Sequence, residues 1–168
     1  MNLFILRHGI AVEPGTPGYE DDSRRPLIPK GERRLQAAAS AVKKLELSFD
    51  LILSSPFIRA RQTAEIVAKA LKLKKQLHFS DDLVPGGDAR ALIQKLNEWK
   101  PAPENVLLVG HEPHLSRFIS LLVSGGADTA AIEMKKGGLC KLEADSLRAG
   151  GRATLIWLLT PSQIELMA

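Results

Sequence analysis

The chain has 168 residues, the usual length of one domain, and its 45% apolar content is enough for a single hydrophobic core. Charged residues make up 25% of the chain and the net charge is +4, which indicates neither disorder nor a nucleic-acid-binding surface. The single cysteine, Cys140, excludes an internal disulfide, and no segment approaches the about 20 apolar residues of a membrane span. We therefore expect one cytoplasmic domain over residues 1–168, without nucleic-acid or membrane partners.

The N-terminal part of the chain alternates predicted strands and helices. An apolar run over residues 3–6 predicts a buried strand, and residues 10–29, with four prolines and two glycines, predict an irregular surface loop. Apolar residues at helical spacing from Leu35 to Leu45 predict the first helix. After a strand at residues 51–53, Ser54-Ser55-Pro56 predicts an N-cap and the start of a second helix.

The same alternation continues to about residue 124. The later predicted elements are a strand at 77–79, a helix from Leu92 to Trp99, a strand at 105–109, a helix at 115–122 that stops at Gly125-Gly126, and a strand pair at 139–142 and 153–159 with a turn at Gly150-Gly151. Strands that alternate with helices predict a mostly parallel sheet with helices on both faces, which is a three-layer α/β/α sandwich.

Two of the predicted strands end in a histidine, His8 and His111. Ligands of such sheets bind beyond the carboxyl ends of the strands, so we expect both imidazoles in one pocket, with Arg7 and Arg59 nearby. A neutral His8 could attack phosphorus, while the two guanidinium groups and a cationic His111 bind the phosphoryl oxygens. The neighbouring arginines should lower the pKa of His8. This chemistry needs no metal and no other cofactor.

Three segments of the chain resemble the motifs of the histidine phosphatase superfamily. Leu6-Arg7-His8-Gly9 resembles its RHG signature, the segment from Ser55 to Thr63 resembles its second motif, and Val109-Gly110-His111 resembles its second histidine motif. The resemblance implies the phosphoglycerate mutase-like fold and a phosphorylated histidine intermediate. It also implies a phosphate pocket whose catalytic and substrate-binding residues are His8, Arg7, Arg59 and His111.

Within this superfamily the chain resembles the SixA-type phosphohistidine phosphatases, which are similarly short. Arg25-Pro26-Leu27 and the segment from Leu83 to Asp88 resemble two of their loops. The resemblance implies a hydrolase that removes phosphate from phosphohistidine on a protein, such as a histidine-containing phosphotransfer domain of a signalling phosphorelay. Arg25 is a weaker substrate-binding candidate, because it could instead tie down its own loop through Glu20-Asp21-Asp22.

The sequence shows no clear general acid. Many phosphomonoesterases of the superfamily carry a glutamate between the second and third motifs, and the nearby carboxylates here include Asp82 and Asp88. Imidazole is a better leaving group than an alkoxide, so the missing acid favours phosphohistidine as substrate. Two alternatives stay open: a small-molecule phosphomonoesterase that uses Asp82 or Asp88, and a non-catalytic phosphate-binding module.

Two further residues resemble site residues only by their position in the sequence. Arg61 follows Arg59 by two residues on the predicted helix, so its side chain should point elsewhere. His114 follows His111 by three residues, but no adjacent carboxylate completes a metal site. We expect both residues to lie outside the phosphate pocket.

Overall fold

The computed structural model describes residues 1–150 and 152–168, which form six strands and five helices. The strands are β1 (Asn2–Arg7), β2 (Leu51–Ser54), β3 (Leu77–Phe79), β4 (Asn105–Gly110), β5 (Leu139–Glu143) and β6 (Thr154–Leu159). The helices are α1 (Pro29–Lys44), α2 (Ile58–Ala70), α3 (Ala89–Glu98), α4 (His114–Ser124) and α5 (Pro161–Met167). None of these helices, in the part of the chain that is described, is long and apolar enough to cross a bilayer.

The strands form one sheet in the order β3-β2-β4-β1-β5-β6. Strands β3, β2, β4 and β1 pair in parallel, while β5 is antiparallel to both of its neighbours, β1 and β6. Only β5 therefore runs against the other five strands. The predicted mostly parallel sheet and the predicted C-terminal strand pair are both confirmed.

The sheet is covered on both faces, because successive side chains of its strands alternate between two apolar clusters. In β1, Leu3 and Ile5 belong to the cluster that includes residues of α3 and α4. Phe4 and Leu6 belong to the other cluster, which includes residues of α1, α2 and α5. Cys140 of β5 is completely buried, as its strand-like sequence predicts. The three-layer α/β/α architecture is thus confirmed.

Helix α5 is an element that the sequence analysis did not predict. Its first turn is closed by a capping box, in which Thr160 accepts from the Gln163 N–H and Gln163 Oε1 accepts from the Thr160 N–H at 2.8 Å. Ile164 is buried and Glu165 forms a 2.9 Å ion pair with Arg34 of α1. The predicted turn at Gly150-Gly151 lies partly outside the described residues, because Gly151 is not described.

The predicted start of the second helix is wrong by a few residues. Helix α2 begins at Ile58, and its N-cap residue Phe57 makes no side-chain capping hydrogen bond. The Ser55 hydroxyl, which the sequence suggested as a cap, accepts from the Phe57 N–H at 3.3 Å and also lies 2.9 Å from His111 Nε2. A serine before proline is a common capping pattern, and here the hydroxyl serves both the turn before α2 and a contact to the residue that follows β4.

Gly31 allows the loop over residues 10–29 to pass close to the first turn of α1. A Cβ atom built on Gly31 would lie 2.1 Å from the carbonyl oxygen of Ile10. The same oxygen accepts a hydrogen bond from the Ile28 N–H at 3.0 Å. The obstacle is therefore backbone that is already hydrogen-bonded, so it cannot rotate away as a side chain could.

We predict that Gly31→Ala destabilises the fold by about 1–3 kcal/mol, the usual cost of overpacking. A loss of stability would be informative, because replacing glycine by alanine inside a helix ordinarily stabilises the fold by roughly 0.5–1 kcal/mol. Urea denaturation would measure the change, with Ser40→Ala at an exposed position of α1 as control, expected to shift stability by no more than about 0.5 kcal/mol. A Gly31→Ala variant as stable as the wild type contradicts the close approach.

Candidate active site

The parallel pairing of β1 with β4 brings His8 and His111 together. Arg7 lies opposite Gly110 in this pairing, and the His8 N–H donates to the Gly110 carbonyl oxygen at 3.1 Å. The two imidazole ring centroids are 5.0 Å apart, with 51° between the ring planes. Both rings therefore lie beyond the carboxyl ends of adjacent strands, the place where the sequence predicts a pocket.

The His8 ring has a defined tautomer. Its Nδ1 lies 2.7 Å from the Gly9 carbonyl oxygen, which can only accept, so Nδ1 carries the proton and Nε2 carries the lone pair. Arg59 Nε donates to His8 Nε2 at 3.3 Å. Burial lowers the pKa of His8 to about 3. The hydrogen bond to Gly9 opposes this shift, whereas the positive charges of Arg59 and Arg7 add to it. His8 is therefore neutral at pH 7.

Arg59 lies at the start of α2, and its side chain is only 3% exposed. One helical turn later, Thr63 Oγ1 donates to the Arg59 carbonyl oxygen at 2.7 Å and accepts from the Gly9 N–H at 3.1 Å. This hydroxyl joins α2 to the residue that follows His8. On the other side of the loop, a Cβ on Gly9 would lie 2.6 Å from Leu35 Cδ1, so glycine suits this close packing against α1.

His111 is buried and bonded through only one ring nitrogen. Its Nε2 lies 2.9 Å from Ser55 Oγ, while Nδ1 has no hydrogen-bond partner among the described residues. Burial, followed by the proximity of His8 and Arg59, lowers the pKa of His111 to about 2. In the structure His111 is therefore neutral at pH 7, in contrast to the cationic form that the sequence analysis expects, because burial outweighs any nearby negative charge.

Arg7 completes a cluster with His8, Arg59 and His111, which we call the histidine–arginine cluster. Arg7 Nη1 donates to the Met134 carbonyl oxygen at 2.7 Å, and Arg7 Nε has no hydrogen-bond partner within residues 1–150 and 152–168. The positive charge of Arg7 also contributes to the low pKa of His8. Unpaired buried polar atoms are rare in folded proteins. Three such atoms occur among the described residues, and two of them, Arg7 Nε and His111 Nδ1, belong to this cluster, while the third is Nε2 of His114.

A surface cavity adjoins the histidine–arginine cluster beside Arg7. It is an open groove of about 650 Å³, and basic side chains of Arg7, Arg34, Lys135 and Lys136 contribute to its lining together with Glu133. The cluster is thus continuous with a surface groove. Its basic side chains other than Arg7 are ion-paired, Arg34 with Glu165, Lys135 with Glu133 and Lys136 with Glu13.

Asp22 joins the surface loop to the cluster, a role that the sequence analysis did not assign. Its Oδ2 accepts from Arg59 Nη2 at 2.8 Å, and its carbonyl oxygen accepts from Arg59 Nη1 at 2.6 Å. Its Oδ1 accepts from Arg25 Nε at 2.8 Å and Nη2 at 2.6 Å. The third nitrogen of Arg25 donates to the Val12 carbonyl oxygen. Arg25 therefore reaches the cluster through Asp22, and its direct contact with a substrate stays a prediction.

The two candidates for a general acid are engaged elsewhere. Asp82 accepts hydrogen bonds from Lys95 and Ser80, and Asp88 caps α3 by accepting from the Arg90 N–H at 2.8 Å. Partial burial opposes ionisation of Asp82, but the bonds from Lys95 and Ser80 outweigh it and lower the pKa of this carboxyl. An ionised, ion-paired carboxylate is a poor proton donor.

Arg61 and His114 lie outside the cluster, as predicted. Arg61 is exposed and forms a 2.8 Å ion pair with Glu65 one turn further along α2. His114 is buried at the start of α4, where its ring stacks on Phe118 with 6.4 Å between the centroids. Neither side chain is hydrogen-bonded to a member of the cluster within the described ranges.

Comparison with known proteins places the chain among histidine phosphatases. Residues 3–84 match the model of the histidine phosphatase superfamily (branch 1). An uncharacterized protein from Picosynechococcus sp. is 37% identical over 149 residues, which are 88% of each chain. The phosphohistidine phosphatase SixA of Escherichia coli is 28% identical over 173 aligned positions, which cover 99% of this chain and 98% of the relative.

A solved structure gives the same result for the fold. The protein histidine phosphatase SixA, complexed with tungstate, superposes with a TM-score of 0.80 and 26% sequence identity, covering 96% of this chain and 98% of the other. The chain therefore belongs to the histidine phosphatase superfamily, with its phosphoglycerate mutase-like fold, and is a member of the SixA type.

Proposed function

We propose that the protein is a phosphohistidine phosphatase that transfers the phosphoryl group of a phosphorylated protein to His8 and then to water. The observation that carries this proposal is the state of His8: a neutral ring whose Nε2 lone pair faces Arg59 Nε at 3.3 Å. A nucleophilic imidazole needs that lone pair, and a cation beside it can bind the oxygens of the incoming phosphoryl group.

In the first step, His8 Nε2 forms a bond to phosphorus while the phosphorus–nitrogen bond of the substrate breaks. The electron pair of the broken bond returns to the substrate imidazole. The His8 ring becomes positively charged, and its Nδ1–H, which donates to the Gly9 carbonyl oxygen at 2.7 Å, stabilises that charge. Arg59 and Arg7 bind the phosphoryl oxygens in place of their present partners.

His111 is proposed to bind the same phosphoryl group through Nδ1. With the Ser55 hydroxyl donating to Nε2, the neutral ring carries its proton on Nδ1, the nitrogen that has no partner among the described residues. A phosphoryl dianion beside the ring would raise the pKa of His111, so the cationic form belongs to the substrate complex.

In the second step, water attacks the phosphorus of phospho-His8. The bond between phosphorus and Nε2 breaks, and its electron pair returns to the ring. Both protons of the water stay on the phosphate, so the products are dihydrogen phosphate and a neutral His8. The substrate imidazole leaves as a neutral ring when its other nitrogen already carries a proton, so the protein need not donate a proton in either step.

The surroundings of the cluster support a protein as substrate. Between Arg59 and His111 the chain forms β3 and α3, which belong to the sandwich and add no cap domain to it. The open groove beside Arg7 leaves room for the protein surface that surrounds a phosphorylated histidine. A histidine-containing phosphotransfer domain is the partner that we propose, in keeping with the name of the SixA relative.

The intermediate can be tested with a phosphotransfer domain that carries ³²P-phosphohistidine. We predict that the wild-type protein releases phosphate and is itself labelled on His8, and that His8→Gln loses at least about 10³-fold in rate, since it lacks the nucleophile. The matched control is His78→Gln, which changes an exposed histidine of β3 and should keep full activity. Turnover by His8→Gln at the wild-type rate would contradict the role of His8 as nucleophile.

The substrate can be tested by comparing rates on the phosphohistidine domain with rates on a panel of sugar phosphates. We expect kcat/KM to favour phosphohistidine by at least about 10²-fold, because Asp82 is ion-paired with Lys95 and Asp88 caps α3, which leaves an alkoxide without a proton donor. Faster hydrolysis of a sugar phosphate would identify a small-molecule phosphomonoesterase. Binding of phosphate without hydrolysis of either substrate would identify a non-catalytic module.

The neutral state of His8 also predicts an acid-sensitive fold. The pKa of His8 is about 3 in the folded protein and near 6.5 when unfolded, so between these pH values the unfolded chain binds a proton that the folded one does not. Stability therefore falls as pH falls from 6.5 towards 3. Between pH 7 and pH 5, wild type should lose roughly 1–2 kcal/mol more than His8→Gln in urea denaturation. Equal losses in the two proteins contradict a buried neutral His8.

A further inference from the structure

We propose that Asp22 recognises the leaving group: its carboxylate accepts a hydrogen bond from the protonated imidazole of the substrate phosphohistidine. This inference rests on the function proposed above and assigns a residue that selects phosphohistidine over phosphate esters. The sequence gives no sign of it beyond the acidic run Glu20-Asp21-Asp22.

The position of Asp22 carries the argument. A single guanidinium separates its carboxylate from the nucleophile, because Arg59 donates through Nε to His8 Nε2 at 3.3 Å and through Nη2 to Asp22 Oδ2 at 2.8 Å. In an in-line transfer the leaving nitrogen lies on the far side of phosphorus from His8. A phosphoryl group bound to Arg59 would therefore place its leaving group near the Asp22 carboxylate.

The exposure of Asp22 fits contact with a substrate group. Its side chain is 51% exposed, whereas that of its partner Arg59 is 3% exposed. The carboxylate is thus the accessible end of a chain of contacts that begins at the buried His8. A histidine presented on a protein surface would meet Asp22 before its phosphoryl group reaches the cluster.

Asp22 places a negative charge beside a site that is proposed to bind a phosphoryl dianion. Partial burial disfavours its ionised form, but hydrogen bonds from Arg25 and Arg59 outweigh this effect and hold the pKa of Asp22 below its ordinary value. An ionised carboxylate beside a phosphate pocket repels a phosphoryl dianion. A cation on the substrate, next to the phosphoryl group, converts that repulsion into attraction.

Phosphohistidine can supply this cation, whereas a phosphate ester cannot. When the ring nitrogen that does not bear phosphorus is protonated, the imidazole carries a positive charge and an N–H donor. Cleavage of the phosphorus–nitrogen bond then returns its electron pair to the ring, and the leaving imidazole departs neutral with its N–H intact. Asp22 holds that proton in place by accepting from it, and it does not transfer a proton itself.

Arg25 has a defined part in this arrangement. Two of its nitrogens bind Asp22 Oδ1, and the third binds the Val12 carbonyl oxygen of the same loop. These bonds fix the carboxylate through Oδ1, and Oδ2 accepts from the substrate once the phosphoryl group has replaced it as the partner of Arg59. Arg25 is therefore a positioning residue for Asp22 and needs no contact with the phosphoryl group.

The test is Asp22→Asn, which keeps the shape of the side chain and one acceptor oxygen but removes the charge. We predict that kcat/KM on a phosphohistidine-bearing phosphotransfer domain falls by about tenfold or more, the usual worth of a charge-assisted hydrogen bond. The inhibition constant of orthovanadate, an anion without an imidazole, should stay the same or become smaller. Asp22→Glu should recover part of the lost kcat/KM, because it restores the charge.

The matched control is Asp21→Asn, which changes the neighbouring carboxylate, bonded only to Ser23 of its own turn, and should leave both constants as in the wild type. Thermal denaturation checks that each variant is folded. An orthovanadate constant that rises in proportion to the loss of kcat/KM, or an unchanged kcat/KM, overturns the role of Asp22 while the proposed function stands. A wild-type protein inactive on phosphohistidine overturns the proposed function, and this inference with it.

Discussion

The parallel pairing of β1 with β4 is the constraint on which the site depends. Two strands far apart in the sequence end at the same level, and each is followed by a histidine. The bond from the His8 N–H to the Gly110 carbonyl oxygen, 3.1 Å long, continues the strand pairing by one residue into the site. The distance of 5.0 Å between the imidazole rings is therefore set by the sheet and not by a loop.

Burial at this position gives the site its chemistry. The rings of His8 and His111 are both neutral because the strand ends are shielded from water, and desolvation is the largest cause of both low pKa values. The same shielding leaves the guanidinium of Arg59 dependent on polar partners, which it finds in Asp22 and in the lone pair of His8. In the proposed mechanism a phosphoryl group would replace these contacts, so the groups that bind it are already in place.

Much of the fold and the composition of the cluster follow from local patterns. The apolar runs that end at His8 and His111, and the helix that begins near Arg59, are signals within a few neighbouring residues. Other features depend on contacts between distant segments, such as the bond of Ser55 to His111 and the link of Asp22 to Arg59, which joins residues 37 positions apart. Helix α5 had a local signal, the capping box at Thr160, but the helix is short and its burial against α1 is a tertiary effect.

The most direct test of the account is a crystal structure of the wild-type protein with orthovanadate, which adopts the geometry of a phosphoryl group in transfer. The account predicts a covalent bond from vanadium to His8 Nε2, with Arg7, Arg59 and His111 donating to the equatorial oxygens. Vanadate bound away from these four side chains, or a His8 Nε2 still hydrogen-bonded to Arg59 with vanadate beside it, would show that His8 does not accept the phosphoryl group.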